Sequence, residues 1–272
     1  MPVHEALIRE ISESTLEENT LAFWKLGQMG YALRMGPYTV YLDAYLTAHP
    51  SRLFPSPLTP EEVVNADLVF GSHDHSDHID RPAWKTIAKA SPQALFAVPK
   101  ALVDRLSDLG IDHNRFWPLS DSVSRRCGTL TVTGIPCAHE MLDTDENGNH
   151  LYSGIILSNG RMRVCHLGDT CIYPGLLERL KLFAPYDVLF LPINGRDGER
   201  LRRGCIGNMT FQEAVDLAGM VRPGLVVPGH YEMFRGNTED VTKFTDYLDA
   251  KYPDVRCWVG ESGDKMIVSR NE

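Results

Sequence analysis

The sequence predicts an α/β protein of the α+β kind, a four-layer αββα sandwich of two mixed β-sheets flanked by helices. Three observations lead there. Short apolar runs of strand length alternate with amphipathic segments of helix length along the whole chain. The elements fall into two coarse halves of similar order, and histidines and aspartates stand where the strands end, as they do when side chains meet along one rim.

Taken in order, Leu7, Ile8 and Ile11 among Glu and Arg predict an amphipathic helix. It makes a helical arm over residues 1–18 that can dock on its own domain or on a second copy. Leu21 to Gly27, Tyr31 to Met35 and Thr39 to Asp43 read as successive strands, with Gly36-Pro37 as the last turn. Ala66 to Gly71 is a buried strand ending in glycine. Pro82 opens a helix to Ala90, Leu95 to Val98 is a strand, and Ala101 to Leu109 is a second helix stopped by Gly110. Thr129 to Cys137 opens the second half, and Asn147-Gly148 before the strand Leu151 to Leu157 signals a hairpin. Met162 to Leu167, Val188 to Leu191 and Leu225 to Val227 continue that sheet, and Thr210 with Glu213 makes a capping box for a helix to Met220. A helix from Thr238 to Ala250 presents Val241, Phe244 and Leu248 on one side. Arg256 to Val259 and Met266 to Ser269 then read as a closing hairpin.

With 272 residues and 43% hydrophobic composition, the chain can bury one large core, so residues 1–272 are read as a single domain. A net charge of -9 disfavours a nucleic-acid backbone as the main partner, because neutralising phosphates needs a basic surface. The amino terminus has no basic region followed by an apolar core, and no stretch reaches the length of a membrane span, so a cytoplasmic location without membrane contact is expected. The six cysteines form no C-x-x-C pair and read as buried thiols, with Cys137 and Cys171 near enough to the candidate ligands to act as soft donors. Trp24, Trp84, Trp117 and Trp258 read as core or interface residues.

The chemistry is concentrated in the run from His73 to His78. His73, His75, Asp77 and His78 cannot share one strand or helix face, so they belong on a loop, delivered by the preceding strand. His73 and His75 can converge on one cation while Asp77 and His78 turn toward a second, and their nitrogen and oxygen donors suit zinc, manganese or iron. His139, Asp169 and His230 each follow an apolar run. They complete the set, with Asp169 able to bridge two ions. For each of the three the alternative is a hydrogen-bonded structural residue, and His139 or His230 alone reads more simply that way; it is their order at strand ends that favours ligation. His166, flanked by Cys165 and Leu167, reads as a buried, hydrogen-bonded histidine. Asp43, ending its own strand, is expected to hold a ligand histidine in one tautomer.

The order HxHxDH, a lone His, GDT and a late PGH resembles the metallo-β-lactamase superfamily over nearly the whole chain. Asn194-Gly195-Arg196-Asp197, Gly207-Asn208-Met209-Thr210 and His230-Tyr231-Glu232 further resemble its L-ascorbate-6-phosphate lactonase-like branch, although position 232 is Glu where the related phrase often carries Asp. The resemblance implies the metallo-β-lactamase sandwich, two divalent ions (zinc or manganese) and a hydrolase in which a metal-bridging hydroxide attacks a small anionic ester. A sugar-phosphate lactone is the leading substrate, and the branch also implies a homo-oligomer. A phosphodiesterase of the same fold and a non-catalytic metal-dependent binding or sensing domain are the alternatives.

Asp77 is expected to move a proton to the leaving group as well as to ligate, and Tyr231 to hydrogen-bond the oxyanion or a leaving oxygen. Arg196, Arg200, Arg202 and Arg203 are the candidate anion-binding groups, since guanidinium groups grip phosphate or carboxylate in a fork. Arg196 comes first because Asn194-Gly195 can turn it straight off a strand end. The plainer alternative is a solvated loop in which these arginines pair with Asp197 and Glu199. Asn208 is a candidate hydrogen-bond donor to substrate or an organiser of its own loop.

Overall fold

A computed structural model describes residues 3–270, so Met1, Pro2, Asn271 and Glu272 of the expected 1–272 domain and 1–18 arm lie outside the described residues. The first sheet contains β1 (Thr20–Gly27), β2 (Gly30–Met35), β3 (Tyr38–Leu42), β4 (Leu68–Phe70), β5 (Leu95–Pro99) and β6 (Phe116–Leu119). The second contains β7 (Ser124–Cys127), β8 (Leu130–Pro136), β9 (Ser153–Ser158), β10 (Arg163–His166), β11 (Val188–Pro192) and β12 (Val226–Gly229). The last strand, β13 (Lys265–Ser269), returns to the first sheet and pairs antiparallel with β1. The strand orders are β13-β1-β2-β3-β4-β5-β6 and β12-β11-β10-β9-β8-β7. In the first, β3 to β6 run parallel and the rest antiparallel; in the second, β10 to β12 run parallel.

Alternation along β1 shows how the layers are made. Leu21 and Phe23 enter the apolar layer between the sheets with Tyr31, Phe70 and Phe190, while Ala22, Trp24 and Leu26 face outward. That outer face is covered by α1 (Val3–Glu13) and α2 (Arg81–Ala90), whose Leu7, Ile11, Trp84 and Ile87 are buried on it. The opposite face of the second sheet is covered by α3 (Leu176–Phe183), α5 (Phe211–Val221) and α6 (Val241–Lys251). A short α4 (Gly198–Arg202) sits in the loop between β11 and α5. Four layers result, the sheets buried on both faces and reading as nearly continuous apolar runs. No helix among the described residues is long and apolar enough to cross a membrane.

The structure departs from the sequence expectations in four places. The segment after β5 is two 3-10 pieces, Lys100–Leu102 and Asp104–Leu109, with i→i+3 bonds such as Leu106 N–H to the Val103 carbonyl at 3.2 Å, and it ends at Gly110 as expected. Asn147-Gly148 turns a small excursion within residues 137–152 and does not join β8 directly to β9. The closing hairpin does not form: Cys257 bridges Val226 beside β12, while β13 crosses to β1. Edge strand β7, the proline-containing β6, α3 and α4 were not anticipated, being short and polar or weakly periodic. The N-terminal helix docks on its own domain.

Candidate metal centre

Every proposed ligand lies just beyond the carboxyl end of a strand. The 73–78 loop follows β4, His139 follows β8, Asp169 follows β10 and His230 follows β12. This is the rim where open α/β sheets present their chemistry. The loop is held by hydrogen bonds from the His78 and Ile79 amides to the His75 carbonyl, and Asp80 caps α2 immediately after it. At the β10 exit Gly168 adopts φ +59, and a Cβ there would lie 2.4 Å from the Ser72 side chain, so glycine lets the Asp169 turn close against the histidine loop.

The seven side chains converge. Donor atoms of His73, His75 and His139 lie within 4.8 Å of one another, as do those of His73, His78 and Asp169 and those of Asp77, His78 and His230. Asp169 joins the groups: its carboxylate is 3.4 Å from His78 Nε2, 3.7 Å from His139 Nε2 and 3.2 Å from His230 Nε2. His73 Nε2 stands 2.8 Å from His75 Nδ1. Cys137 and Cys171 are outside these groups, their thiols donating to the Leu167 and Gly207 carbonyls.

The donor set fits a divalent cation by its unmet bonding. His78 Nε2 and Asp169 Oδ1 are buried and, although within ion-pair range, are not aligned for a hydrogen bond to any protein group. Such orphaned buried atoms are costly unless something else binds them. The tautomers agree. Asp43 Oδ2 receives His78 Nδ1 at 2.7 Å, and the Gly207 carbonyl receives His139 Nδ1 at 3.1 Å, leaving Nε2 of each ring toward the centre. Asp43 is itself fully buried and accepts from the Ser72 amide and hydroxyl, both at 2.7 Å.

Electrostatics divides the histidines. Burial holds His73 well below the ordinary imidazole value, and burial lowers His75 and His139 too, so these rings are neutral and ready to donate lone pairs. Burial also opposes charge on His78 and His230, but Asp169 with Asp43 and Asp77 outweighs it: His78 is raised well above its ordinary value and His230 is pushed up to about 9. Burial would raise the Asp77 and Asp169 carboxyls, yet the His78 and His230 charges hold both well below the usual carboxylate range. The two carboxylates thus attract positive charge at these two rings, and a cation can supply it in place of ring protons.

Three neighbours carry no sequence signal. Gln28, in the β1–β2 turn at φ +59 and fully buried, places Nε2 3.0 Å from Asp77 Oδ2 and 3.2 Å from His230 Nε2. Ser72 Oγ links Asp43, His73 and His78. The Tyr152 ring packs against His73 and His139, with centroids 5.6 and 5.5 Å away. Gln28 lies in an ordinary hairpin turn, Ser72 is a common residue type next to His73, and Tyr152 owes its position to long-range packing. His166 bonds the Met29 carbonyl through Nε2 at 2.8 Å, as a structural histidine does.

Several expected roles do not match the geometry. The Tyr231 hydroxyl receives Lys25 Nζ at 2.7 Å and lies beside Glu232, so it is tied to a buried lysine and not offered to a reacting oxygen. Arg196 is spent on the Glu213 carboxylate, with both Nη atoms engaged at 2.7 and 2.8 Å, and on the Asn208 carbonyl. Arg200 donates to the Asn194 and Thr238 carbonyls. Asn208 is fully buried and donates to Asn194 Oδ1 at 3.0 Å, organising its loop. Asp77, by contrast, lines an open cavity of about 330 Å³ with Cys205 and Phe234.

Residues 38–231 match the family described as a beta-lactamase superfamily domain. A metal-dependent hydrolase of Archaeoglobus fulgidus is 29% identical over 246 residues, which cover 88% of this chain and 97% of that one. The N-acyl-phosphatidylethanolamine-hydrolyzing phospholipase D 1 of Caenorhabditis elegans is 26% identical over 218 residues, 75% of this chain and 61% of that protein. Among solved structures, Igni18, a metallo hydrolase from the archaeon Ignicoccus hospitalis, superposes with a TM-score of 0.74 at 20% identity, over 93% of this chain and 100% of that one.

Proposed function

The chain belongs to the metallo-β-lactamase superfamily, and from that premise we propose that it is a metal-dependent hydrolase of a small anionic ester, a sugar-phosphate lactone being the first substrate to try. The observation that carries this reading is the convergence of seven donor residues in overlapping groups, one of which, Asp77, forms part of the wall of an open cavity. A volume of about 330 Å³ suits a small molecule.

His73, His75 and His139 would hold one divalent ion, zinc or manganese, and Asp77, His78 and His230 a second, with Asp169 shared between them. When bound, such ions supply a Lewis acid for the ester oxygen and make water acidic enough to act as a nucleophile near neutral pH. The chain's own residues do the rest. Asp43 and the Gly207 carbonyl fix the His78 and His139 rings. Gln28 steadies Asp77 Oδ2, and Asp77, on the cavity wall, would accept the proton given up by the attacking water and pass it to the leaving oxygen.

A second reading, hydrolysis of a phosphodiester by the same centre, is favoured by the likeness to the phospholipase D of Caenorhabditis elegans. Assays of the manganese- or zinc-reconstituted protein on a lactone 6-phosphate and on bis-p-nitrophenyl phosphate separate the two. Turnover of the lactone alone supports the first reading, turnover of the diester alone the second, and turnover of neither rejects both.

A further inference from the structure

Of the arginines around the cavity, two remain after the structural ones are accounted for. Arg196 and Arg200 are committed to Glu213 and to backbone carbonyls. Arg203 and Arg235 both line the cavity that contains Asp77. Arg235 is exposed and has no ion pair or hydrogen bond among the described residues. Arg203 donates Nη2 to the Gly236 carbonyl at 2.9 Å, and its other Nη is 3.6 Å from Glu199, a half-exposed contact worth little in water.

Gly236 is shaped to this arrangement. It adopts φ +79, and a Cβ there would meet the Arg203 guanidinium at 2.9 Å, so the absence of a side chain lets the guanidinium lie flat against the backbone. Phe234 adds an apolar wall, and Cys205, two residues after Arg203, lies on the same lining. Among the described residues, the charged groups on this lining besides Asp77, whose charge cations at the centre would offset, are the two guanidinium groups.

We propose that Arg203 and Arg235 form the anion subsite of this enzyme, gripping a phosphate or carboxylate on the substrate while its ester reaches the metal centre past Asp77. Phe234 takes the apolar part of the same small molecule. The inference rests on the hydrolase reading for the identity of the reacting group, but the subsite can be tested without turnover.

The test uses Cys205 as a reporter. The metal-loaded full chain is alkylated with iodoacetamide, and labelling of Cys205 is followed by peptide mass spectrometry with increasing inorganic phosphate or, separately, butyrate. The same is done for Arg203→Gln, Arg235→Gln and the distant charge control Arg222→Ala. One of the two anions is expected to slow Cys205 labelling in the wild type and in Arg222→Ala. Each cavity variant should need about tenfold more of that anion, the loss typical of one charge-assisted contact. The protecting anion identifies the headgroup. Equal protection in all four proteins would place the anion elsewhere, and no protection by either anion would leave the subsite without a ligand; both overturn the proposal. Arginine-dependent protection without hydrolysis of any ester would sink the hydrolase reading and leave the subsite standing. Hydrolysis of esters with no preference for an anionic group would do the reverse.

Discussion

Replacing Asp43 by alanine tests how far the centre depends on a residue that touches no substrate. Asp43 is fully buried and accepts from the Ser72 amide, the Ser72 hydroxyl and His78 Nδ1, each at 2.7 Å. Alanine orphans these donors at about 1–3 kcal/mol each. The Ser72 hydroxyl can turn to His73 Nδ1, already 3.0 Å away, so the net loss is on the order of 3 kcal/mol. His78 also loses the partner that fixes its tautomer, and removing such a partner costs roughly 10–100-fold in metal affinity. Urea unfolding of the metal-free protein reads the first quantity, and competition with a chromogenic chelator reads the second. Asp43→Asn cannot restore the pattern, because its amide must turn a donor toward either the Ser72 amide or His78. If Asp43→Ala binds metal as tightly as the wild type, the tautomer argument is wrong.

Gln28→Gly should relieve the left-handed backbone at φ +59 while removing the amide from Asp77 and His230. Unfolding stability should change by less than about 1 kcal/mol while affinity for the more weakly held ion falls about tenfold, checked by metal analysis after dialysis. Lys25→Met should cost roughly 2 kcal/mol, because the Glu232 carboxylate loses its partner, and adding Glu232→Gln should recover part of it in a double-mutant cycle. Gly168→Ala should weaken metal binding more than general stability, since the new methyl would press on Ser72; equal losses of both would count against this. Stripping the metal with a chelator should lower the unfolding free energy by about 2.7 kcal/mol if the free ion had been at a hundred times its dissociation constant, read as a fall in melting temperature.

Much of this architecture is legible in the sequence because the sheets are buried on both faces, so strands such as Leu225 to Val227 stand out as apolar runs. The candidate ligands are legible through their order, since histidine and aspartate recur directly after such runs in a sequence of positions that one rim can gather. Contacts between residues far apart in the chain leave no local pattern. Gln28 meets His230 across 202 residues, and Arg196 finds Glu213 in the capping box that itself was plain. The arginines on the 196–203 stretch look alike in sequence, but folding commits Arg196 and Arg200 to structural bonds and turns Arg203 to the cavity. Tyr231 adjoins His230 in sequence, but after the left-handed turn at His230 (φ +60) its hydroxyl meets Lys25 and not the centre. Edge strand β7, made of Ser124, Arg125, Arg126 and Cys127, has no apolar face to reveal it.

If seven residues form one shared centre for two divalent ions, metal content per chain should follow the ligands. It is measured by plasma mass spectrometry on protein purified without chelator, for the wild type and for His139→Ala, His230→Ala and Asp169→Ala. Roughly two ions are expected in the wild type, about one in each histidine variant with the other ion retained, and weakened binding of both in Asp169→Ala. One ion or none in the wild type, or the same content in all four proteins, would contradict the shared centre.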